Sequence, residues 1–471
     1  MPVINMIPQF DSPPEDQVSQ LSLTNMYFTQ LNQQPGGQTG YIAPSPGTDL
    51  YVDFSGNSVR SLFQDSGNLY AVVDSTLYRI DSSGAQTTVG TLNTSSGYVS
   101  FIANTTQIML ADGTDAYVIT KSSHAFATVS DADFPTTAPI RLAYLNGYGC
   151  FTTAATKALH LMDLSDFTSY TSTQYTTLTD SGETTSGCIA NNGELFVFTK
   201  DRCAVYVNTA ASPFPFEARS NILLNIGCSA ELSLQVVDNT IIWLGTNEHG
   251  MLGIYRTTGY LPKLISSDSL NAEIRTYSNP ENAISYIFSL RGHYFYHITF
   301  PDSQKSWRID LTTGLCHEVT SRNAEGQFTR HLSSCYTYFD DKHLVGDYRS
   351  GKVYEMSQSF YTDNDTPIER EIISIPLDSQ LERMTISELT VDMQVGKGLS
   401  TGQGSSPQAM LSYSTDGGNT WSAELWRSVG KIGEYRTLVR WNRLGQGRRR
   451  VFKLRYTEPT QFSVFNLLVK Y

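Results

Sequence analysis

Charge is scarce in this chain. Only 17 % of its 471 residues are charged, and the balance is acidic, with a formal net charge of −12. Gripping nucleic acid by counterion release needs a basic face, so that is not the main task of this protein, although DNA could still slide past it. Long apolar runs are missing as well. No stretch of about 18 apolar residues exists, and Met1-Pro-Val-Ile-Asn-Met-Ile-Pro8 has no basic segment leading into an apolar one. The expectation is a chain that neither inserts itself into a membrane nor leaves the cell by a cleaved signal. Six cysteines (Cys150, Cys188, Cys203, Cys228, Cys316, Cys335) are scattered with no CxxC pair. Free thiols made in a reducing cytoplasm follow from that spacing.

Catalytic signatures are equally thin. The chain has no GxxxxGK[ST], no GxGxxG after a strand, no GxSxG and no HExxH. His293 and His297 stand four apart, but Tyr294, Phe295 and Tyr296 between them read as a core strand, and no third zinc ligand is in sight. Glu318, Glu325, Asp340 and Asp341 lie among turns, with nothing that pairs two of them for acid and base work. Asp363-Asn-Asp365 lacks the Gly and Glu of a calcium loop and reads as a turn. No catalytic residue, no cofactor and no metal ligand is therefore expected. Helical periodicity is nearly absent too, the best candidate being Ser267-Asp-Ser-Leu-Asn-Ala-Glu-Ile-Arg275.

What is abundant is a strand phrase that keeps returning: an apolar run, a polar turn, then a run containing an aromatic residue. It reads Leu69-Tyr-Ala-Val-Val73 before Leu77-Tyr-Arg-Ile80, Leu195-Phe-Val-Phe198 before Ala204-Val-Tyr-Val207, and Ile241-Ile-Trp-Leu244 before Gly253-Ile-Tyr-Arg256. Further copies begin at Ile108, Tyr294 and Leu344, and a looser one at Tyr148. The spacing of about 40–50 residues is that of a propeller blade. Such repeats cannot bury their faces alone and must stack. The fold class is accordingly all-β: a β-propeller of six or seven blades over 46–360, preceded by an extended N-terminal arm over 1–45, rich in Pro, Gly and Gln. After Tyr361-Thr-Asp-Asn-Asp-Thr-Pro367 the alternating strands lengthen, which marks a C-terminal β-sandwich domain over 361–471.

Two local features stand out in that domain. Ser414-Thr-Asp-Gly-Gly-Asn-Thr-Trp421 is an Asp box, in which Ser414, Asp416, Gly418 and Trp421 would build a structural hairpin with Trp421 packed beneath it. From Lys431 to Arg455 the bases Lys431, Arg436, Arg440, Arg443, Arg448, Arg449, Arg450, Lys453 and Arg455 face a single acid, Glu434. That run reads either as a solvated sheet face or as a docking surface for an acidic partner or DNA phosphates, carried by Arg436, Arg440, Arg443, Arg448, Arg449, Arg450 and Lys453.

Lys342-His-Leu-Val-Gly-Asp-Tyr-Arg-Ser-Gly-Lys-Val-Tyr354 resembles the packaged-DNA stabilisation, or tail hub, proteins of short-tailed bacteriophages. Leu164-Ser-Asp-Phe-Thr-Ser169, Tyr255-Arg-Thr-Thr-Gly-Tyr260, Thr313-Gly-Leu-Cys-His-Glu318 and Gly430-Lys-Ile-Gly-Glu-Tyr-Arg-Thr437 extend the match. The resemblance implies a virion tail protein, assembled in the host cytoplasm, that forms a six-subunit ring. It also implies partners: a portal and adaptor ring, a tailspike or tail fibre, a needle or plug, and double-stranded DNA passing through without sequence-specific binding. The family has no catalytic residues to carry over. A glycan-binding or glycan-cleaving propeller, suggested by the Asp box, and a host-receptor binding protein are the alternatives.

Overall fold

The computed structural model describes residues 3–4, 21–30, 40–136, 139, 141–153, 156–178, 184–247, 249–323, 325–378 and 382–471. Among them the apolar runs are strands, and the turns between them follow from backbone sterics. Ser66-Gly67, Asn146-Gly147, Asn192-Gly193, Asp238-Asn239, Arg291-Gly292 and Asp340-Asp341 each have two consecutive positive φ values. That is the type I′ turn, whose twist matches an antiparallel hairpin. Each pair joins the first strand to the second in a four-stranded antiparallel unit, which for Arg291-Gly292 and Asp340-Asp341 is part of a larger sheet.

Seven such units follow one another as blades, over 59–91, 100–128, 142–177, 185–224, 235–264, 284–318 and 333–357. The open count of six or seven resolves to seven. Blade 7 supplies only three strands of its own and takes its fourth, Gly47–Asp53, from the beginning of the ring. The loosest copy of the sequence phrase, Tyr148–Thr152, is the second strand of blade 3.

Alternation along each strand sends successive side chains to opposite neighbours. In blade 4, Leu195 and Val197 enter the apolar wedge shared with blade 3, while Phe196 and Phe198 enter the wedge shared with blade 5. In blade 1, Leu69, Ala71 and Val73 meet Leu344 and Val353 of blade 7, and Tyr70 and Val72 meet Ile108 and Leu110 of blade 2. The wheel is thus held by wedges between neighbouring blades, each side chain of this size contributing about 1.5–3 kcal/mol. The helix expected after Ser267 spans Asp268–Ile274, and the Ser267 hydroxyl caps it by accepting from Leu270 N at 3.3 Å.

The C-terminal domain is a two-sheet sandwich completed from the other end of the chain. One sheet runs, in spatial order, Met26–Gln30, Gly40–Pro44, Val464–Lys470, Glu388–Met393 and Val439–Asn442. The other contains Ser22–Thr24, Arg370–Ile373, Arg449–Tyr456, Gln408–Ser414 and Leu425–Ser428. Met26, Ile42, Leu389, Trp441, Phe452 and Leu454 fill the space between them. Of the arm expected over 1–45, residues 1–2, 5–20 and 31–39 lie outside the described residues. The described part from Ser22 to Pro44 is therefore built into the sandwich, because Met26 and Ile42 have apolar side chains that the core takes in.

The second sheet does not stop at the sandwich. Thr24 lies parallel to Glu318 in the last strand of blade 6, so one hydrogen-bonded sheet passes from wheel to sandwich. Asn25, at φ 55°, fixes the crossing. Its amide donates to Thr320 Oγ1 at 3.0 Å and to Glu369 O at 2.8 Å, and its Oδ1 accepts from Thr320 N at 2.9 Å. The two bodies are joined by satisfied polar groups as well as by sheet.

Candidate functional site

The basic stretch from Lys431 to Arg455 divides in two. Arg449–Tyr456 is an inner strand, paired on one side with Arg370–Ile373 and on the other with Gln408–Ser414. An inner strand has no free edge, and its side chains are taken up by the fold. Arg450 is only 2 % exposed; it donates to Leu444 O at 2.8 Å and lies over the Tyr413 ring at 4.7 Å. Lys453 sits 4.3 Å from the Trp421 ring and 3.6 Å from Glu371. Arg455 bonds Glu369 at 3.2 Å and also pairs with Glu424.

Arg450 is therefore too buried to belong to a docking surface, and Lys453, only partly exposed, is engaged by Trp421 and Glu371. Their strand is flanked on both sides, and reversing the charge of Arg450 would bury a carboxylate against the carbonyl of Leu444. Arg449 is half-buried in the same strand, where its backbone pairs with Asp378.

The outer half is different. Leu425–Ser428 is a fully exposed strand at the rim, followed by a turn-rich segment and the strand Val439–Asn442. The two strands lie side by side, with Arg427 Nε donating to Arg440 O at 2.9 Å and Trp441 Nε1 to Leu425 O at 2.7 Å. Arg440 has one long contact, 3.4 Å, with Glu388. Arg436, Arg443 and Arg448 are exposed and make no ion pair among the described residues.

Sequence reasoning missed Trp426, Ile432 and Leu438 in the apolar half of this rim. Trp426, Ile432, Tyr435 and Leu438 are 52 %, 62 %, 64 % and 59 % exposed. The signal available was the density of large apolar residues beside glycines: Gly396 has room for no Cβ because Tyr435 lies against it, and Gly430 turns at φ 91° under Thr437.

The Asp box closes the hairpin between Gln408–Ser414 and Leu425–Ser428. Asp416 accepts from Ser414 Oγ and Thr420 Oγ1, both at 2.6 Å, and from Thr420 N at 2.9 Å. These bonds hold its carboxyl far below the usual range. Gly417 and Gly418 turn at φ 81° and 106°. Trp421 is half-buried and receives Lys453 on its face.

Two histidines singled out in the sequence are engaged as well. His293 Nδ1 bonds Asp310 at 2.7 Å, and buried His297 takes Arg308 Nε at 3.3 Å and Thr299 Oγ1 at 3.0 Å. Burial and the Arg308 charge hold His297 and His331 well below the ordinary imidazole range. Among the described residues no group of three His, Cys, Asp or Glu side chains is placed to hold a metal ion, and no helix is long and apolar enough to cross a membrane. A cavity of about 670 Å³ opens on the inner strands of the wheel, lined in part by Arg60, Ser96, Tyr98, Glu231, Asn282 and Arg330. Arg60 is bound to the carbonyls of Gly97, Thr94 and Ser96 at 2.7–2.8 Å. Burial pushes the Glu231 carboxyl up to about 7 against the nearby Arg141 charge.

A closed seven-bladed wheel welded to a sandwich defines a propeller–sandwich protein. Within that class the chain belongs to the bacteriophage P22 Gp10 family: the family's β-propeller model matches residues 15–361 and its β-sandwich model matches residues 369–471. It is a structural tail protein of the phage tail hub and DNA-stabilisation family, as the resemblance implied. No curated protein sequence matches the chain significantly. Similar solved structures include the extracellular domain of a putative hybrid two component system from B. thetaiotaomicron, at TM-score 0.45 and 10 % identity, covering 74 % of this chain and 43 % of that one. Others are PorZ of Porphyromonas gingivalis (TM-score 0.41, 12 % identity, 81 % and 46 % covered) and an inactive virginiamycin B lyase from Staphylococcus aureus (0.42, 10 %, 66 % and 98 %). The chain spans less than half the length of the first two.

Proposed function

We propose that the protein is a non-enzymatic hub of a short phage tail, six copies forming a ring below the portal and its adaptor ring. The ring continues the DNA channel, helps to retain the packaged genome, and carries tailspikes or tail fibres and a terminal needle or plug. The observation that carries this reading is the family match along nearly the whole chain, propeller and sandwich together. Two physical features support it. A closed wheel whose blade edges are short, continuous through Thr24 with the sandwich, suits a load-bearing ring component with unlike partners on different faces. The net charge of −12 disfavours adhesion of DNA to a channel wall, so the duplex would pass without sequence-specific binding.

The family match does not favour a glycan-cleaving or receptor-binding propeller. The test is the mass of the purified full chain, alone and with portal and adaptor. A six-fold multiple of the chain mass in at least the mixture is expected. A chain that stays monomeric with both partners present, or one that releases sugar from cell-surface polysaccharide at a saturable rate, would overturn the reading.

A further inference from the structure

Two exposed surfaces of this molecule complement one another, and they lie on different domains. The first is the sandwich rim already described, where Trp426, Ile432, Tyr435 and Leu438 stand among Lys431, Arg436 and Arg440. Exposed aromatic residues interleaved with arginine are the composition of protein–protein contact cores.

The second is an acidic edge of blade 7, formed by the Asp340-Asp341 turn and by the closing strand Gly47–Asp53 beyond Thr48, where Asp363 pairs with it. Asp49, Asp53, Asp340 and Asp341 are exposed there, beside Leu50 and Tyr338 at 44 % and 50 % exposure. The register places Asp49 directly across from Glu355. Two carboxylates facing each other on neighbouring strands repel. Lys342, 3.1 Å from Glu355, answers that oxygen, and Lys352 reaches Asp53 at 3.8 Å, which leaves Asp49, Asp340 and Asp341 without an ion pair among the described residues. This acidic, partly apolar edge can be improved by a cationic partner.

We propose that the basic, aromatic rim of the sandwich in one copy docks on the acidic edge of blade 7 in a second copy. The occupant is argued from charge: a chain of net charge −12 concentrates unpaired cations on one rim, and an acidic edge with exposed apolar side chains is available on every other copy. Because the two faces differ, the contact is head-to-tail, and repetition closes a ring if the rotation allows it. The proposal rests on the ring reading above and assigns its subunit contact.

The test uses full-length chains and charge reversal at exposed positions. Lys431→Glu with Arg436→Glu gives a rim variant; Asp49→Lys with Asp340→Asn gives an edge variant, Asn tolerating the positive φ of that turn. Each variant alone is expected to keep the wild-type circular dichroism and unfolding midpoint. Each is expected to raise the concentration at which copies dissociate at least about tenfold, as the loss of close interfacial charge pairs does. Mixing the two variants pairs a reversed rim with a reversed edge and leaves the other contacts native, so association is expected to return. Variants that assemble like wild type overturn the contact while leaving the ring standing. Variants that fail singly but are not rescued by mixing show that the rim binds a different partner, which also overturns it. A wild-type chain that never assembles, even with portal and adaptor, removes the ring reading itself.

Discussion

Within one domain, the inner strand Arg449–Tyr456 and the rim segment Lys431–Arg443 carry four cations each, with opposite fates. On the inner strand a cation has a carbonyl, a carboxylate or an aromatic face against it: Arg450 on Leu444 O and Tyr413, Lys453 on Trp421 and Glu371, Arg455 on Glu369 and Glu424. On the rim, Arg436 and Arg443 have no such partner among the described residues, while large apolar side chains stand exposed beside them. A run of charge in a sequence therefore does not define a surface. Strand position decides, because a central strand gives both of its edges to neighbours and one face to the core.

The comparison predicts graded losses, the largest on the inner strand. Arg450→Ala removes a buried side chain, leaves Leu444 O without its donor and empties the space beneath Tyr413. A cost of about 2–4 kcal/mol is expected, read as a lower denaturant midpoint for the sandwich. If Arg450→Ala unfolded at the wild-type midpoint, the division into inner and outer cations would collapse.

Next comes the half-buried aspartate at the junction. Asp363 accepts from Thr48 Oγ1 at 3.3 Å and Ser321 Oγ at 3.1 Å, and burial nonetheless pushes its carboxyl up to about 6. Its folded value is above the ordinary carboxylate value of about 4, so the protonated form is the one the fold prefers. Its stabilising contribution is fully present below that ordinary value and is lost as pH rises through 6. Asp363→Asn is therefore expected to gain up to about 2 kcal/mol over wild type at pH 7.5 and nothing at pH 4. A pH-independent difference between the two proteins would show that burial is not what raises this group.

Much of the fold was legible because the wheel is local. Strands such as Leu195–Thr199 alternate between two wedges, and a run like Leu-Phe-Val-Phe announces that both faces are covered. The turn pairs were legible in principle: Asn-Gly at 146–147 and 192–193 is an unmistakable type I′ signal, whereas Asp340-Asp341 and Arg291-Gly292 are disguised versions of it. What could not be read was long-range pairing. Nothing local in Ser22-Leu-Thr24 says that it bridges Glu318 and Glu371, some 300 residues away in sequence. For the same reason the basic stretch looked uniform, since its division depends on which strands flank it.

The smallest expected effect is also opposite in sign. Arg443 holds φ 59°, a left-handed conformation that costs a residue with a Cβ about 1 kcal/mol and that Asn tolerates better. It is exposed, makes no ion pair among the described residues, and so contributes nothing evident that offsets the strain. Arg443→Asn is then expected to raise stability by about 0.5 kcal/mol in a denaturant titration, where Arg450→Ala lowers it several-fold more. A strained cation kept at a rim makes sense when its charge is used by something outside the chain, because stability alone would favour Asn there. If Arg443→Asn instead destabilised the isolated chain, the side chain would have a partner within its own fold, and the rim would be no freer than the strand behind it.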